Sequence, residues 1–423
     1  MVVGIAVRVV YVRVVGPHTK LWNDSGWYFS QAYNILHGRG YLDIGHQFAY
    51  QSGHAAQTKL VPGAFWPPGY PVFLACVEWL FGPSWYATRM AGVVTGGATV
   101  LLVGVLGRAI AGRAIGIVAA VLVAFSPLLI ATDGSLMSET LYVPLVLLAL
   151  LVAHHARTHA ALGWWALLGV VVGIATLTRQ DALLLLPCAV IPAAVLTRAG
   201  ARAVVMRAGV AVLVTAAVVA PWIIRNAVVL HDATITTGSQ ATAIGGANCQ
   251  ATYYGAAIGF WDGGCAQVPH FLDTNEVQFS NRVRREGVSY AEHHVGRVPI
   301  VAAARFLRVW GLWNPANQAL HERLESRNKT WQELMWPVSI AVLALGAVGL
   351  RVLAREKRPI AMLVAPTVMT SVTAVLTYGN TRFRAPAECA LAIGAATALV
   401  RAWQWLRAKD AEAQRAGVSP RLA

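Results

Sequence analysis

Charge is what this 423-residue sequence has least of: 13% of its residues are Asp, Glu, Lys or Arg, and only 19 are acidic. Soluble domains carry about a quarter, so the shortage excludes an ordinary globular enzyme with a solvated surface. Cysteine is scarce too, at five, which rules out a disulfide framework. There is no Walker loop and no glycine fingerprint after a strand, so no Rossmann-type nucleotide site is expected. The adjacent pairs His154/His155 and His293/His294 lack the spacing of a zinc site. No internal repeat, low-complexity linker or separable soluble domain stands out. Residues 1–16 lack a small-residue cleavage site and carry Arg8 and Arg13, so they read as a first membrane helix and not a removable signal. The helix is short for a span, which leaves room for a start upstream of Met1.

What is present is apolar. Hydrophobic residues make up 57% of the chain, mean hydropathy is +0.54, and the apolar residues fall in runs of about 20. The expected fold class is an all-α polytopic membrane protein. Its net charge of +15 would suggest nucleic acid in a soluble protein, but the basic residues sit at the ends of apolar runs, as membrane topology requires. Topology turns on FWPPGYPVFLACVEWLFGPS, whose apolar core between prolines is only about 15 residues. If it spans, Arg108 and Arg113 fall on the side of the long polar loop, and later basic clusters are misplaced with them. If it is a surface or re-entrant helix, spans at roughly 86–107, 114–131, 139–156, 162–178, 181–197, 207–224, 332–350, 359–378 and 386–404 place every basic cluster on one side. Ten spans with both ends cytoplasmic are therefore expected.

That topology gathers a polar set on the outer face: Asp24 and its loop, the turn with Asp133 and Glu139, the turn with Arg179 and Asp181, the region from Pro221 to about Thr330, and NTRFRAP with Arg382 and Arg384. Residues 24–38 show helical spacing and read as a helix lying on the membrane, with a polar loop following to Ala64. Ile300, Ala303, Ala304 and Leu307 mark a stripe with Arg297, Arg305 and Arg308 close to it, as in an interfacial helix. Cys249 and Cys265, 16 apart in one polar loop, read as a disulfide candidate if that loop is extracytoplasmic.

Each candidate has a plainer alternative. Asp24 is a general base or a helix N-cap. Glu139 is a functional acid at membrane depth or a carboxylate favoured by a helix N-terminus, beside a capping Ser138; Asp133 is expected to be solvated. Arg179, Arg225, Arg382 and Arg384 are boundary anchors or phosphate ligands, guanidinium being a bidentate partner for phosphate. Their number on the outer side, which the orientation rule disfavours, points to a phosphate-bearing ligand.

In order and spacing, Asp24 and Tyr28 (D-x-x-x-Y), LHGRGY, WPPGYP, SPLLIATDGSLMSETLY, GIATLTRQDALLLLP, APWIIRN and TRFRAP resemble the GT-C superfamily of membrane glycosyltransferases. The nearest group is glycosyltransferase family 39, with the protein O-mannosyltransferases and the aminoarabinose transferase of lipid A. The likeness runs from about residue 20 to 400, and the ordered set carries it where no single motif does. It implies one GT-C-like domain over 1–404, with a first outer loop at 17–85 and an outer region at 225–330, and a cytoplasmic polar tail at 405–423. It implies a polyprenyl-phosphate sugar donor and an acceptor hydroxyl on the periplasmic or outer face of the cytoplasmic membrane. Asp24 corresponds to the family's catalytic acid-base residue, Tyr28 to a residue lining the site and Glu139 to the acid after the third span. Arg225 and Arg179 correspond to arginines near the lipid phosphate, and RFRAP to a segment facing the same cavity. Two positions depart. Asn23 stands where protein mannosyltransferases carry a second acid, and Trp66 where some relatives place a lysine before paired prolines.

These pieces suggest one inverting displacement. Asp24 takes the acceptor's proton, polyprenyl phosphate leaves against arginine, and Glu139 orients the acceptor or a metal ion. No cofactor is certain and a divalent metal is compatible. The acceptor class, whether lipid, polysaccharide or protein, stays open, and no nucleic acid is implied. The alternative class is a lipid-linked sugar transporter or flippase, which would want inverted repeats and broken helices at mid-bilayer. An oligosaccharide ligase or polymerase with the same outward site is a second rival.

Overall fold

The computed structural model describes residues 1–19, 24–43, 61–159, 161–266, 275–325 and 327–415, and among them it is helical throughout, with one isolated antiparallel bridge, Leu42 to Pro62, and no strand. Most of the expected polar loop after Gly40, together with residues 416–423 of the tail, lies outside the described residues. Among the described residues, five helices are long and apolar enough to cross a membrane: Trp85–Ala111, Glu139–Ala156, Ala201–Leu230, Lys329–Arg355 and the last helix. Arg113–Ala124 and Pro127–Asp133, bent by 60°, make a sixth if counted together. Other expected spans, at Leu162–Thr178, Gln180–Val195 and Ala361–Leu376, are apolar but shorter. The chain is a multi-pass membrane protein.

Helix limits follow local chemistry. Trp85–Ala111 starts where the Ser84 hydroxyl accepts the Ala87 N–H, and stops at Gly112, whose φ of 105° a side chain would oppose. At the bend, Pro127 takes a first-turn position, where its missing N–H costs nothing, and Ser126 caps the new helix. Lys329–Arg355 and the last helix cross so closely that a Cβ on Gly349 would lie 1.7 Å from the Gly394 oxygen, the small-residue contact by which membrane helices pack. Apolar side chains such as Val94, Leu213 and Val228 face outward, as lipid contact requires. WPPGYP introduces a helix at Gly69–Phe81 of 13 residues, about 20 Å long at 1.5 Å per residue, too short for a hydrocarbon core of about 30 Å.

The segments expected on the outer face depart from expectation in two places. Asp133 is buried, not solvated: Arg8 donates to its Oδ2 at 2.6 Å, and also reaches the carbonyls of Gly4 and Ala124. In the Val298–Val309 helix, Ile300 of the expected stripe is exposed but Ala304 is buried, and Arg305 and Arg308 turn inward. Arg305 donates to the carbonyls of Ala247 and Val375, and Arg308 to those of Ile258 and Ala256 and to Gln318. They fasten the outer loop to the helices, not the helix to headgroups. Cys249 and Cys265 are bonded, with Cα atoms 6.1 Å apart. The last helix continues from Ala385 to Arg415, so the start of the expected tail is helical.

Candidate active site

Three segments distant in sequence bring carboxylates to one point. Asp24 opens the surface helix Asp24–Leu36 and Glu139 opens Glu139–Ala156, each in a first turn where backbone N–H groups favour negative charge. Glu325 ends a short turn, Arg323–Glu325. All three face the guanidinium of Arg382. Its Nη2 lies 3.3 Å from Asp24 Oδ2, and its Nε 3.3 Å from Glu139 Oε1 and 3.5 Å from Glu325 Oε2. Arg382 is held there through its backbone: the Asn380 side chain accepts the Arg382 N–H at 3.1 Å and donates to Glu325 Oε2 at 2.7 Å, while Glu322 accepts from the Thr381 N–H and hydroxyl. The segment from Pro315 to Glu325 thus grips the TRFR turn and sets the aim of Arg382.

A second arginine extends the cluster. Arg179 donates to Glu139 Oε1 at 2.8 Å and to Asp181 Oδ1 at 3.1 Å, and its guanidinium stands 5.2 Å over the ring of Phe383. Asp24, Tyr28, Trp66, Ser138, Arg179 and Arg382 line one cavity of about 90 Å³. Tyr28 packs edge-on to Tyr70 at 5.0 Å and tilted to Trp66 at 6.1 Å, giving the cavity an aromatic wall. The indole N–H of Trp66 is buried without a hydrogen-bond partner.

The environment tunes the acids. Burial raises the Asp24 carboxyl above its ordinary range, Arg382 pulls it down, and Glu139 adds to the rise. The side chain keeps 22% of its surface open to the cavity, so water still moderates that burial. Glu325 is pushed from 4.5 to about 7, chiefly by burial and against the attraction of Arg382. A base and an acid whose protonation changes toward neutrality are what proton transfer needs.

This geometry can be set beside known proteins. Residues 66–224 match the family described as dolichyl-phosphate-mannose-protein mannosyltransferase. The fold matches the archaeal oligosaccharyltransferase AglB of Archaeoglobus fulgidus in complex with an inhibitory peptide and a dolichol-phosphate, with TM-score 0.53 and 14% identity, over 100% of this chain and 52% of that one. The chain carries the GT-C fold. The apo form of the same A. fulgidus enzyme gives TM-score 0.53 at 15% identity, over 99% of this chain and 52% of that one. ArnT of Cupriavidus metallidurans bound to undecaprenyl phosphate is looser, at TM-score 0.44 and 16% identity, over 95% of this chain and 77% of that one. No curated protein sequence matches. The chain spans about half the length of the oligosaccharyltransferase it matches. The GT-C resemblance of the sequence is borne out by the family match and the fold together.

Within this fold, Asp24, Tyr28, Glu139, Arg179 and Arg382 come together, and Arg225 and Arg384 do not join them. Arg225 donates to the carbonyls of Gly63 at 2.6 Å and Tyr41 at 3.2 Å. Beside it Glu276 accepts the Ala64 N–H at 2.6 Å and the Thr237 hydroxyl. The pair pins the end of the first outer loop to the helices behind it. Arg384, two residues beyond Arg382 in the same turn, points into the bundle and pairs with Glu388 at 3.3 Å, whose other oxygen accepts from Ser126. Sequence reasoning missed Glu325, which lies in HERLESR with nothing local to separate it from solvated charge. It left Asp181 in a turn without a role, and treated Trp66 only as a missing lysine.

A divalent ion does not fit the cluster as built. Among the described residues no group of three or more His, Cys, Asp and Glu is placed to hold one, and the Arg382 guanidinium fills the space between the three acids.

Proposed function

We propose that this protein is a membrane glycosyltransferase that moves a sugar from a polyprenyl-phosphate donor to an acceptor hydroxyl on the outer face of the cytoplasmic membrane, with inversion. The observation that carries the proposal is the convergence of Asp24, Arg179 and Arg382 on one aromatic-walled cavity, with Glu139 behind it paired to both arginines. The carrier lipid named for one matched structure, dolichol-phosphate, is of the class that the proposed reaction would release. An outer-face site agrees with the distribution of basic residues and with the bonded cysteines of the outer region.

Asp24 accepts the proton of the acceptor hydroxyl as its oxygen bonds to the anomeric carbon, and the bond from that carbon to the phosphate oxygen breaks on the opposite side. Both bonding electrons leave with polyprenyl phosphate. Arg179, 17% exposed at the cavity wall, is the guanidinium placed to meet the departing dianion. A phosphate monoester needs no proton to leave, so one base and fixed positive charge suffice. Glu139 holds both arginines in place, and Tyr28 with Trp66 offers ring faces to the sugar.

The test is incubation of the purified protein in detergent with a polyprenyl-phosphate hexose or pentose and candidate hydroxyl acceptors. Release of free polyprenyl phosphate with a glycosylated product is expected. Recovery of every donor intact would favour the transporter reading instead.

A further inference from the structure

We infer that the Arg382 guanidinium is the resident cation of this site: it stands where a divalent ion would bridge the three carboxylates, and transfer runs without added metal. Asp24, Glu139 and Glu325 come from positions 115 or more residues apart in sequence, and the Arg382 side chain lies within 3.5 Å of all three. Three carboxylates this close repel one another when ionised, and a cation among them offsets that repulsion. The chain supplies one covalently. Arg382 is 4% exposed, and its head is further fixed by the Tyr378 hydroxyl at 3.3 Å and the Phe383 ring at 5.3 Å.

Geometry separates the two kinds of cation. A hard divalent ion draws carboxylate oxygens to about 2.0–2.6 Å of one centre. Here the Asp24 oxygen lies 3.3 Å from Nη2, and the Glu139 and Glu325 oxygens lie 3.3 and 3.5 Å from Nε, all well beyond the distances at which a metal ion holds its ligands. Charge agrees as well: Arg179 on the far side of Glu139 brings the total to two positive charges, the charge of one divalent ion. These two are fixed by the protein and need no loading. The consequence for the proposed reaction is that the Asp24 base is oriented by a side chain, not by a metal.

The activity part of this inference rests on the glycosyl-transfer reading, and the metal-binding part on geometry alone, so the two fail separately. Full-length protein in detergent is stripped with EDTA and titrated with Mn²⁺ under electron paramagnetic resonance, and transfer is assayed in parallel. Wild type is expected to leave all Mn²⁺ free and to keep its rate within twofold. R382A, with its acids unbridged, is expected to gain one bound Mn²⁺ per chain, lost again when D24N is added; R382K, which keeps a cation, gains none. Stoichiometric Mn²⁺ on wild type, abolished by D24N and required for transfer, would overturn the inference. So would a folded R382A that binds no Mn²⁺. If R382A does not fold, the wild-type titration still decides. Absence of transfer under all conditions, with Mn²⁺ still unbound, sinks the functional proposal and leaves the resident cation standing.

Discussion

Arg8 and Arg382 are both buried guanidiniums facing carboxylates, yet they are built to different ends. Arg8 meets one acid, Asp133, at 2.6 Å, spends its other donors on backbone carbonyls and is fully buried. Arg382 faces three acids, none nearer than 3.3 Å, and its Nε makes no aligned hydrogen bond. A short, saturated pair fixes helices, because parting it strands a charge away from water. A loose, shared guanidinium beside a cavity leaves its partners free to exchange protons and take a ligand. The difference separates structural from chemical charge in a membrane protein where both are buried.

The comparison breaks first at the two arginine sites. R382A removes the shared cation, and transfer is expected to fall about 10²–10³-fold, the scale for losing one preorganised electrostatic partner, as measured per folded molecule. D133N should act on folding and not chemistry. It leaves Arg8 buried without its counter-charge, costs about 3–5 kcal/mol and appears as a lower thermal midpoint, while surviving folded protein keeps its rate.

Glu325 offers a subtler test, through pH. Its folded pKa of about 7 lies above the ordinary 4.5, so the folded chain binds its proton more tightly than the unfolded chain. Stability from this group is fully present below about pH 4.5 and is lost as pH rises to about 7. Above pH 7 the ionised carboxylate adds negative charge against an incoming phosphate, so the donor KM of wild type should rise there. E325Q should hold KM flat and lose that part of the stability slope; a wild-type KM that does not change between pH 6 and 8 would remove Glu325 from the site. The smallest effect is expected for R225A. Releasing the carbonyls of Tyr41 and Gly63 should cost about 1 kcal/mol and speed proteolysis of the first outer loop, with kcat unchanged. A large kcat loss would return Arg225 to the chemistry.

Much of the architecture was legible because lipid imposes it. Apolar runs marked the helices, and the basic clusters put Asp24, Glu139, Arg179 and Arg382 on one face before their contacts were known. Sequence could not tell which outward arginine reaches the cavity. Arg382 and Arg384 differ by two residues in one 3₁₀ turn, where about 120° per residue separates side chains, so one faces the cavity and the other the bundle. Arg225 looked like a phosphate ligand for the same reason that it makes a good clamp, since its planar fork suits carbonyls as well as phosphate. Asp133 and Arg8 are 125 residues apart, and no local pattern announces their pairing. Glu325 was hidden because its burial comes wholly from tertiary contact.

The measurement that bears most directly on the central claim is single-turnover transfer from a polyprenyl-phosphate sugar by wild type and D24N, with donor affinity measured on the same preparations. Transfer by D24N should fall about 10²–10⁴-fold, the range for losing a general base, with donor Kd within a few-fold of wild type and the thermal midpoint preserved. Equal rates in the two proteins would contradict the assignment of Asp24 as the base.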